Sequence, residues 1–240
     1  MPERPVKTGR GGEGVAKGSA PIAAAFFDVD ETLLTFKSMF RFLAHHFAAR
    51  GLPPERYRQA EADLRARAAA GVTRSETNRD YYRHYAGQPV EEVMRHGREW
   101  FAGELAGGGA LHAPAVAALE RHRAAGALTV LVSGSFAPCL EPVRELLGAD
   151  LLLCSEPERA DGRYSGHLET PMIGDEKANA ALKLLAERGL APSEASAYGD
   201  HASDLSLLKA VGHPVAVGDD TVLAAYVAEA GGSRLPGVPV

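Results

Sequence analysis

Five short apolar runs, each ending at polar residues, constrain the fold of this chain more than any other feature. They occupy residues 22–29, 128–132, 149–154, 195–198 and 214–217. Their length and lack of polar alternation are typical of strands that are buried on both faces. They are separated by helical patterns at residues 114–125, 138–147, 177–188 and 204–211. This alternation predicts an α/β fold with a parallel sheet, whose ligand site lies beyond the carboxyl ends of the strands.

Residues 36–109 contain no strand pattern and predict several helices directly after the first strand's loop. The residues expected on their apolar faces are all large: Phe40, Leu43, Phe47, Leu64, Tyr81, Tyr85, Val93, Trp100 and Phe101. Three consecutive glycines at 107–109 close the segment like a linker. An insert at this place is expected to lie over the site as a lid. Separately, Asp161-Gly162 between short polar and apolar residues predicts a β-hairpin.

The chain is therefore expected to contain three parts. These are a flexible tail at 1–20, a core domain formed by 21–35 and 110–240, and a helical cap domain at 36–109. The tail lacks the apolar segment of a secretory signal, and no apolar run approaches the roughly 20 residues needed to cross a bilayer. We therefore expect a cytoplasmic protein with no membrane partner.

The charge and the cysteines argue against two classes of partner. A formal net charge of -5 gives no electrostatic reason to expect nucleic-acid binding. The two cysteines, Cys139 and Cys154, are too few for a disulfide framework and lack the CxxC spacing of a zinc site. We interpret them as reduced thiols. The oligomeric state stays open.

Asp28 and Asp30 end the first apolar run and stand two positions apart. In an extended chain their side chains share a face, where like charges repel each other unless a cation lies beside them. Mg²⁺ suits this place because it prefers oxygen ligands and often binds substrate phosphates as well. The pair therefore indicates a magnesium site, with a helix cap or an acidic loop as the plainer alternative.

Three further polar clusters lie at other strand ends or helix starts. The turn at 133–135, Ser-Gly-Ser, offers a hydroxyl and closely spaced N–H groups to an anion, although such turns are also ordinary loops. Lys177 opens a helix, where it would neutralise a phosphate-binding site or simply be solvated. Asp200 ends a strand and suits a metal ligand, whereas Asp204 also fits the first turn of a helix for electrostatic reasons.

The order D-x-D-x-T, S-G, K and G-D-x-x-x-D resembles the haloacid dehalogenase-like superfamily. Within it, the chain looks like the phosphoserine-phosphatase-like branch, subfamily IB, over residues 23–217. The local runs at 131–135, 161–166 and 197–200 are similar to that branch, and the helical insert matches its cap. The resemblance implies a Rossmann-like parallel sheet with a helical cap inserted after the first strand. It also implies a Mg²⁺-dependent phosphatase acting on a small-molecule phosphomonoester.

The resemblance further implies a role for each motif residue. Asp28 would attack phosphorus and become an aspartyl-phosphate, and Asp30 would serve as acid and then base. Mg²⁺ would be held by the Asp28 and Asp200 carboxylates and the backbone carbonyl of Asp30. Asp204 would orient Lys177 or a water at the metal. The residues implied in binding the substrate phosphate are Thr32, Ser133, Gly134 and Lys177. Because carbon–halogen-cleaving relatives lack the second aspartate, dehalogenation is disfavoured.

Departures from the branch's pattern bear on the substrate. Phosphoserine phosphatases carry a glutamate that reads the substrate's ammonium, whereas residues 34–40 here contain Lys37 and no acid. Phosphoserine is therefore disfavoured, and a carboxylate or second phosphate is favoured. The other candidate substrate-selecting residues are Arg65, Arg67, Arg74, His201 and Ser203, with a solvated surface as the alternative for the arginines. Four further histidines are expected at the surface: His45, His46, His84 and His96.

Three functions follow from these residues. The leading one is a phosphomonoesterase. A phosphotransferase would use the same aspartyl-phosphate but pass the phosphoryl group to another alcohol. A non-catalytic Mg²⁺-binding relative is the third, and the intact set of Asp28, Asp30, Lys177 and Asp200 argues against it.

Overall fold

The computed structural model describes residues 21–239, so the tail predicted at 1–20 lies outside the described residues. The strands of the described part are β1 (Ala24–Phe27), β2 (Leu128–Ser133), β3 (Leu151–Cys154), β4 (Arg159–Ala160), β5 (Arg163–Tyr164), β6 (Ala195–Gly199), β7 (His213–Val217) and β8 (Ser233–Leu235). Its helices are α1 (Ser38–Ala49), α2 (Pro54–Ala69), α3 (Arg74–Tyr82), α4 (Val90–Gly107), α5 (Ala113–Ala124), α6 (Ala137–Leu147), α7 (Asp175–Glu187), α8 (Leu205–Lys209) and α9 (Thr221–Glu229). Among residues 21–239, no helix has the length and apolar character needed to span a bilayer.

Six strands form one parallel sheet in the order β3-β2-β1-β6-β7-β8. All four residues of the central strand β1 are buried, with Phe27 in one apolar cluster and Phe26 in the other. Burial on both faces explains the unbroken apolar run. The predicted α/β fold with a Rossmann-like parallel sheet is therefore confirmed. Since β2 and β6 flank β1, the residues that follow these three strands meet at one edge of the sheet.

Helices cover both faces of the sheet. Leu119 of α5 and Leu140 of α6 pack in the cluster that contains Phe27. Leu185 of α7 and Leu223 of α9 pack in the cluster on the opposite face. This sandwich buries both sides of the strands and leaves their carboxyl ends open to form a site.

Two elements near the carboxyl terminus were not predicted. Helix α9 begins after Asp220, whose carboxylate accepts from the N–H groups of Val222 and Leu223 at 2.9 and 3.0 Å. An aspartate before an apolar run is a recognised start signal for a helix. Strand β8 extends the sheet at its edge. The predicted helix at 204–211 is also shorter, because a 3₁₀ turn precedes α8.

The hairpin predicted at Asp161-Gly162 is confirmed. Strands β4 and β5 pair antiparallel, and both turn residues have positive φ, 49° and 73°. Such φ values are typical of tight two-residue hairpin turns. The Val90 N–H donates to the Gly162 carbonyl at 2.9 Å, so the hairpin abuts the start of α4.

Helices α1 to α4 form the segment between β1 and α5. The apolar residues predicted for their inner faces are buried, except that Phe40 is only partly covered. Tyr85 of this segment lies 4.9 Å, ring to ring, from Phe136 at the start of α6. We keep 36–109 as the proposed cap domain, with 21–35 and 110–240 as the proposed core.

Helix α4 of the cap packs against α6 of the core at Gly97. A Cβ atom added at Gly97 would lie 1.9 Å from the carbonyl oxygen of Pro138. A carbon atom cannot lie so close to an oxygen to which it is not bonded. The contact between the two helices therefore requires a glycine at this position. Gly103, two turns further along the same helix, has nothing within 4 Å of an added Cβ.

This difference gives a matched pair of substitutions. Gly97→Ala is expected to lower the free energy of unfolding by about 1–3 kcal/mol, because α4 must move away from α6. Gly103→Ala is expected to raise it by about 0.5–1 kcal/mol, because alanine is the better helix former. Urea denaturation of both variants measures the two effects. Equal changes at the two positions would contradict the packing described for α4.

The prediction of surface histidines is wrong for the cap. His46 and His96 are buried, at 0% and 1% exposure, and their Nδ1 atoms lie 2.9 Å apart. His45 and His84 are half-buried. Burial, followed by the nearby His96 and Arg50, lowers the pKa of His46 to about 3. The imidazole is therefore neutral in the folded protein at neutral pH.

We expect this burial to make stability depend on pH. Below about pH 6.5 the unfolded chain takes up a proton at His46, whereas the folded protein does so only near pH 3. Stability therefore falls as the pH falls through this window, by at most about 1.4 kcal/mol per pH unit for one histidine. In urea titrations between pH 6.5 and 4.5, His46→Met should flatten the slope. The exposed control His167→Gln should leave the slope as it is in the wild type.

Candidate active site

Lys177 lies between two buried carboxylates. Its Nζ atom is 2.5 Å from Oδ1 of Asp28 and 2.6 Å from Oδ1 of Asp204. Asp28 follows β1, Lys177 lies in the first turn of α7, and Asp204 precedes α8, so three elements converge here. Burial lowers the pKa of Lys177, but Asp204 and Asp28 outweigh it and raise that pKa above its usual value. A charged ammonium is thus held against the Asp28 carboxylate.

Asp200 adds a third carboxylate to this place. Carboxylate oxygens of Asp28, Asp200 and Asp204 all lie within 4.8 Å of one another. Burial, then the negative charges of Asp28 and Asp204, raise the pKa of Asp200 to about 8. Fully ionised, the three carboxylates would carry more negative charge than Lys177 neutralises, and burial together with this repulsion raises the pKa of Asp28 as well. Its donors are all oxygen, which fits a hard divalent cation such as Mg²⁺.

Gly199 allows this cluster to form. A Cβ atom on Gly199, the last residue of β6, would lie 2.6 Å from Cβ of Asp204. Any other residue would separate β6 from the turn that carries Asp204. The glycine of the G-D-x-x-x-D motif is therefore explained by close approach.

Asp30 stands apart from the three clustered carboxylates. Its Oδ1 accepts from the backbone N–H of Ser38, at the start of α1, at 3.0 Å. Burial raises the pKa of Asp30 to about 6, against the opposing effect of the Ser38 hydrogen bonds. A carboxyl group that titrates near neutral pH is suited to giving and taking a proton.

The Ser-Gly-Ser turn follows β2, next to β1. Ser133 is almost fully buried, and its Oγ accepts from the Ser135 N–H at 3.1 Å. A Cβ atom on Gly134 would lie 2.9 Å from Cγ1 of Ile173, so the turn is close to the segment before α7. Ser38 Oγ donates to Ser135 Oγ at 3.2 Å and links the turn to α1.

A cavity of about 330 Å³ lies between the sheet edge and the helical segment above it. Seven residues predicted for catalysis, phosphate binding or metal binding line it: Asp28, Asp30, Ser133, Gly134, Lys177, Asp200 and Asp204. Its opposite wall has an apolar part made by Met39, Phe40, Leu64 and Ala68. The structure therefore brings these seven residues together on one side of a single cavity.

The basic residues predicted to select the substrate also reach this cavity, except for Arg67. Lys37 lines it and lies 3.2 Å from Glu31, and Arg65 lines it and lies 2.7 Å from Glu61. Arg74 and His201 line it as well and are linked by a hydrogen bond of 2.8 Å. Ser203 lines it near His201. Among residues 36–109, all of them described, no carboxylate lines the cavity.

Two predicted contacts with the substrate lie elsewhere. Arg67 does not line the cavity, because it points from α2 toward Asp80, with 2.5 Å between Nε and Oδ2. Thr32 is fully buried, and its hydroxyl donates to Oδ1 of Asp200 at 3.0 Å. Thr32 therefore holds a predicted metal ligand and does not face a substrate phosphate.

Several residues at the site were missed from the sequence. Asn78 and Tyr82 of α3 and Ser155 after β3 all donate to the carbonyl of Gly134. Asn78 and Tyr82 belong to no motif, so no signal in the sequence marked them. Ser155 directly follows the apolar run at 149–154, so its position at a strand end was a signal that could have been used. Ser38 was missed too, although a serine beginning a helix shortly after Asp30 could have been considered.

Comparison with known proteins agrees with this geometry. The family model of the haloacid dehalogenase-like hydrolases matches residues 25–209. The inhibition of morphological differentiation protein of Streptomyces azureus is 33% identical over 219 residues, covering 88% of this chain and 77% of that protein. A probable phosphatase of Mycobacterium tuberculosis is 30% identical over 218 residues, covering 85% of this chain and 72% of that protein.

A solved structure supports the same assignment at the level of the fold. Phosphoserine phosphatase with a phospho-aspartyl intermediate analogue aligns with a TM-score of 0.64 and 18% identity, covering 90% of this chain and 94% of that chain. The chain belongs to the haloacid dehalogenase-like hydrolases. The family assignment made from the order of the sequence motifs is therefore confirmed.

Proposed function

We propose that the protein is a Mg²⁺-dependent phosphatase that hydrolyses a small-molecule phosphomonoester through an aspartyl-phosphate on Asp28. One observation carries the proposal. Asp28, Asp30, the Ser133 hydroxyl, Lys177 and Asp200 meet on one wall of a cavity large enough for a small metabolite. This set combines a nucleophile, an acid, anion-binding groups and a cluster of oxygen ligands.

The reaction would proceed in two displacements at phosphorus. An Asp28 carboxylate oxygen attacks phosphorus, and the bond from phosphorus to the leaving alcohol oxygen breaks. Asp30 donates its proton to that oxygen. Asp30 then takes a proton from the water that attacks the phosphorus of the aspartyl-phosphate, which releases phosphate and restores Asp28. The pKa of Asp30, raised to about 6, is compatible with both roles.

Charge stabilisation comes from both sides of the phosphate. Lys177, held at 2.5 Å from Asp28, supplies one positive charge, and Ser133 and the Gly134 N–H supply hydrogen bonds. The Asp28 and Asp200 carboxylates, with the Asp30 backbone carbonyl, would hold Mg²⁺. When bound, the ion would neutralise charge on the phosphate and align it with the nucleophile. Asp204, 2.6 Å from Lys177, would keep that lysine in place.

The opposite wall of the cavity narrows the choice of substrate. Lys37, Arg65 and Arg74 line it, and no carboxylate of the cap does. Beside Lys37, an ammonium group on the leaving alcohol would find only Glu31, which already pairs with that lysine at 3.2 Å, whereas an anionic group would find Arg65 and Arg74. We propose a leaving group without an ammonium, with some apolar surface against Met39 and Phe40.

The direct test is release of phosphate from a panel of phosphomonoesters with Mg²⁺ present. The panel should include sugar, polyol, amino-alcohol and lipid phosphates, each with and without an added acceptor alcohol. We expect hydrolysis of at least one ester, loss of it in EDTA, and its return with Mg²⁺. Phosphorylation of the acceptor in place of phosphate release would favour a phosphotransferase. No turnover of any ester would overturn the proposal.

A further inference from the structure

The carbonyl oxygen of Gly134 accepts hydrogen bonds from three side chains. The donors are Nδ2 of Asn78 at 3.1 Å, the hydroxyl of Tyr82 at 2.9 Å and Oγ of Ser155 at 2.9 Å. All three residues are buried, at 7%, 0% and 1% exposure. A carbonyl oxygen has two lone pairs, so one donor satisfies it and three are unusual.

Two of these donors come from the cap. Asn78 and Tyr82 stand four residues apart on α3, so they lie on one face of that helix. Ser155 belongs to the core and also accepts from the Met172 N–H at 3.0 Å. Since Ser155 alone would satisfy the carbonyl, the contacts from Asn78 and Tyr82 exceed what burial of this oxygen requires. They tie the cap to the turn after β2.

These hydrogen bonds fix the orientation of the whole peptide between Gly134 and Ser135. The Gly134 carbonyl and the Ser135 N–H belong to the same planar peptide and point in opposite directions. That N–H donates to Ser133 Oγ at 3.1 Å. With a lone pair of Ser133 Oγ occupied in this way, its hydroxyl proton stays free to donate into the cavity. The orientation of the peptide thus sets the direction in which Ser133 donates.

The hydrogen bond to Gly134 determines the orientation of the Asn78 side-chain amide. Its Nδ2 faces the carbonyl, and its buried Oδ1 has no hydrogen-bond partner within the described residues. Turning the amide over would place two oxygens against each other. An unpaired buried acceptor is unfavourable, so this orientation is retained because of the bond to Gly134.

We propose that Asn78 and Tyr82 are positioning residues through which the cap sets the phosphate-binding turn, an inference that rests on the proposed function. They act through the peptide between Gly134 and Ser135. Asn78 also lines the cavity whereas Tyr82 does not, so Tyr82→Phe is the variant that tests the indirect route by itself. Removing them should weaken phosphate binding more than it weakens folding. The rate of chemistry on bound substrate should change less than the affinity for it.

The test uses Tyr82→Phe, Asn78→Leu and the double variant, with inorganic phosphate as the probe. The inhibition constant for phosphate and the KM for an active ester should each rise about three- to tenfold in either single variant, the free-energy range of one hydrogen bond. The double variant should exceed both. The control is Tyr164→Phe, which removes a buried hydroxyl that has no hydrogen-bond partner among residues 21–239. Tyr164 belongs to the same aromatic cluster around Phe136. Phosphate binding and KM should not change in that control.

The outcomes separate this inference from the proposed function. If the wild type hydrolyses an ester but Tyr82→Phe and Asn78→Leu bind phosphate as tightly as it does, the positioning role is overturned and the phosphatase stands. A loss of thermal stability with unchanged phosphate inhibition would also overturn it, since that is the result of a purely structural contact. If the wild type neither hydrolyses an ester nor binds phosphate, both the proposed function and this inference are overturned.

Discussion

Replacing Asp28 by asparagine is expected to lower kcat by about 10⁴-fold or more while the protein stays folded. The amide has the shape of the carboxylate but cannot form an acyl phosphate, so the first displacement is lost. Folding should be retained because Lys177 keeps its partner Asp204, and a like charge is removed from a buried cluster. Steady-state phosphate release measures the activity, and urea denaturation measures the stability.

Asp219→Asn is the matched control for this substitution. Asp219 follows β7 much as Asp28 follows β1, but it is exposed and pairs with Arg234. Its replacement should leave kcat at the wild-type value. A rapid acid quench of the wild type should trap a phosphoprotein that hydroxylamine cleaves, as expected for an acyl phosphate, and Asp28→Asn should trap none. Wild-type turnover in Asp28→Asn would exclude the covalent role.

The parts of the site that could be predicted are those at the ends of strands. Asp28, the turn at 133–135 and Asp200 follow apolar runs that are recognisable in one dimension. Parallel strands place such ends at one sheet edge, so proximity in space follows from the fold class. The prediction for Lys177 was weaker when that residue was considered alone, because only the order of the motifs distinguished it from a solvated lysine. The structure places it 2.5 Å from Asp28.

The contacts of the cap could not be predicted, for a geometric reason. On α2, Leu64, Arg65 and Ala68 line the cavity, and Arg67 faces away toward Asp80. Successive residues of a helix differ by about 100° in direction, so spacing identifies which residues share a face. It does not identify which face is turned toward the site. The same limit hid Asn78, because its importance arises from a carbonyl 56 residues further along the chain.

Burial of polar groups in the cap was unpredictable for a related reason. His46 and His96 contact each other across α1 and α4, and each satisfies a nitrogen of the other. From the sequence, each is a lone polar residue on a helix, which favours the surface. Only the pairing of the two helices supplies the partner that makes burial acceptable.

Lys177→Met is expected to lower the free energy of unfolding by about 3–5 kcal/mol in metal-free protein. The substitution leaves Asp28 and Asp204 buried without the ammonium that lies 2.5 and 2.6 Å from them. Removing one partner of a buried ion pair leaves an uncompensated charge, which is more unfavourable than removing both partners. Urea denaturation in EDTA measures this change. The control is Lys183→Met on the same helix α7, where the lysine is exposed and only 4.0 Å from Glu187; we expect a change below about 0.5 kcal/mol.

A double substitution separates stability from activity at this lysine. In Lys177→Met with Asp204→Asn, one of the two unpaired carboxylates becomes neutral, so much of the lost stability should return. Activity should not return, because the phosphate still lacks the positive charge of Lys177. Recovery of both together would mean that Lys177 serves folding alone. Recovery of neither would mean that Asp204 is not the partner whose charge Lys177 neutralises, against the 2.6 Å contact between them.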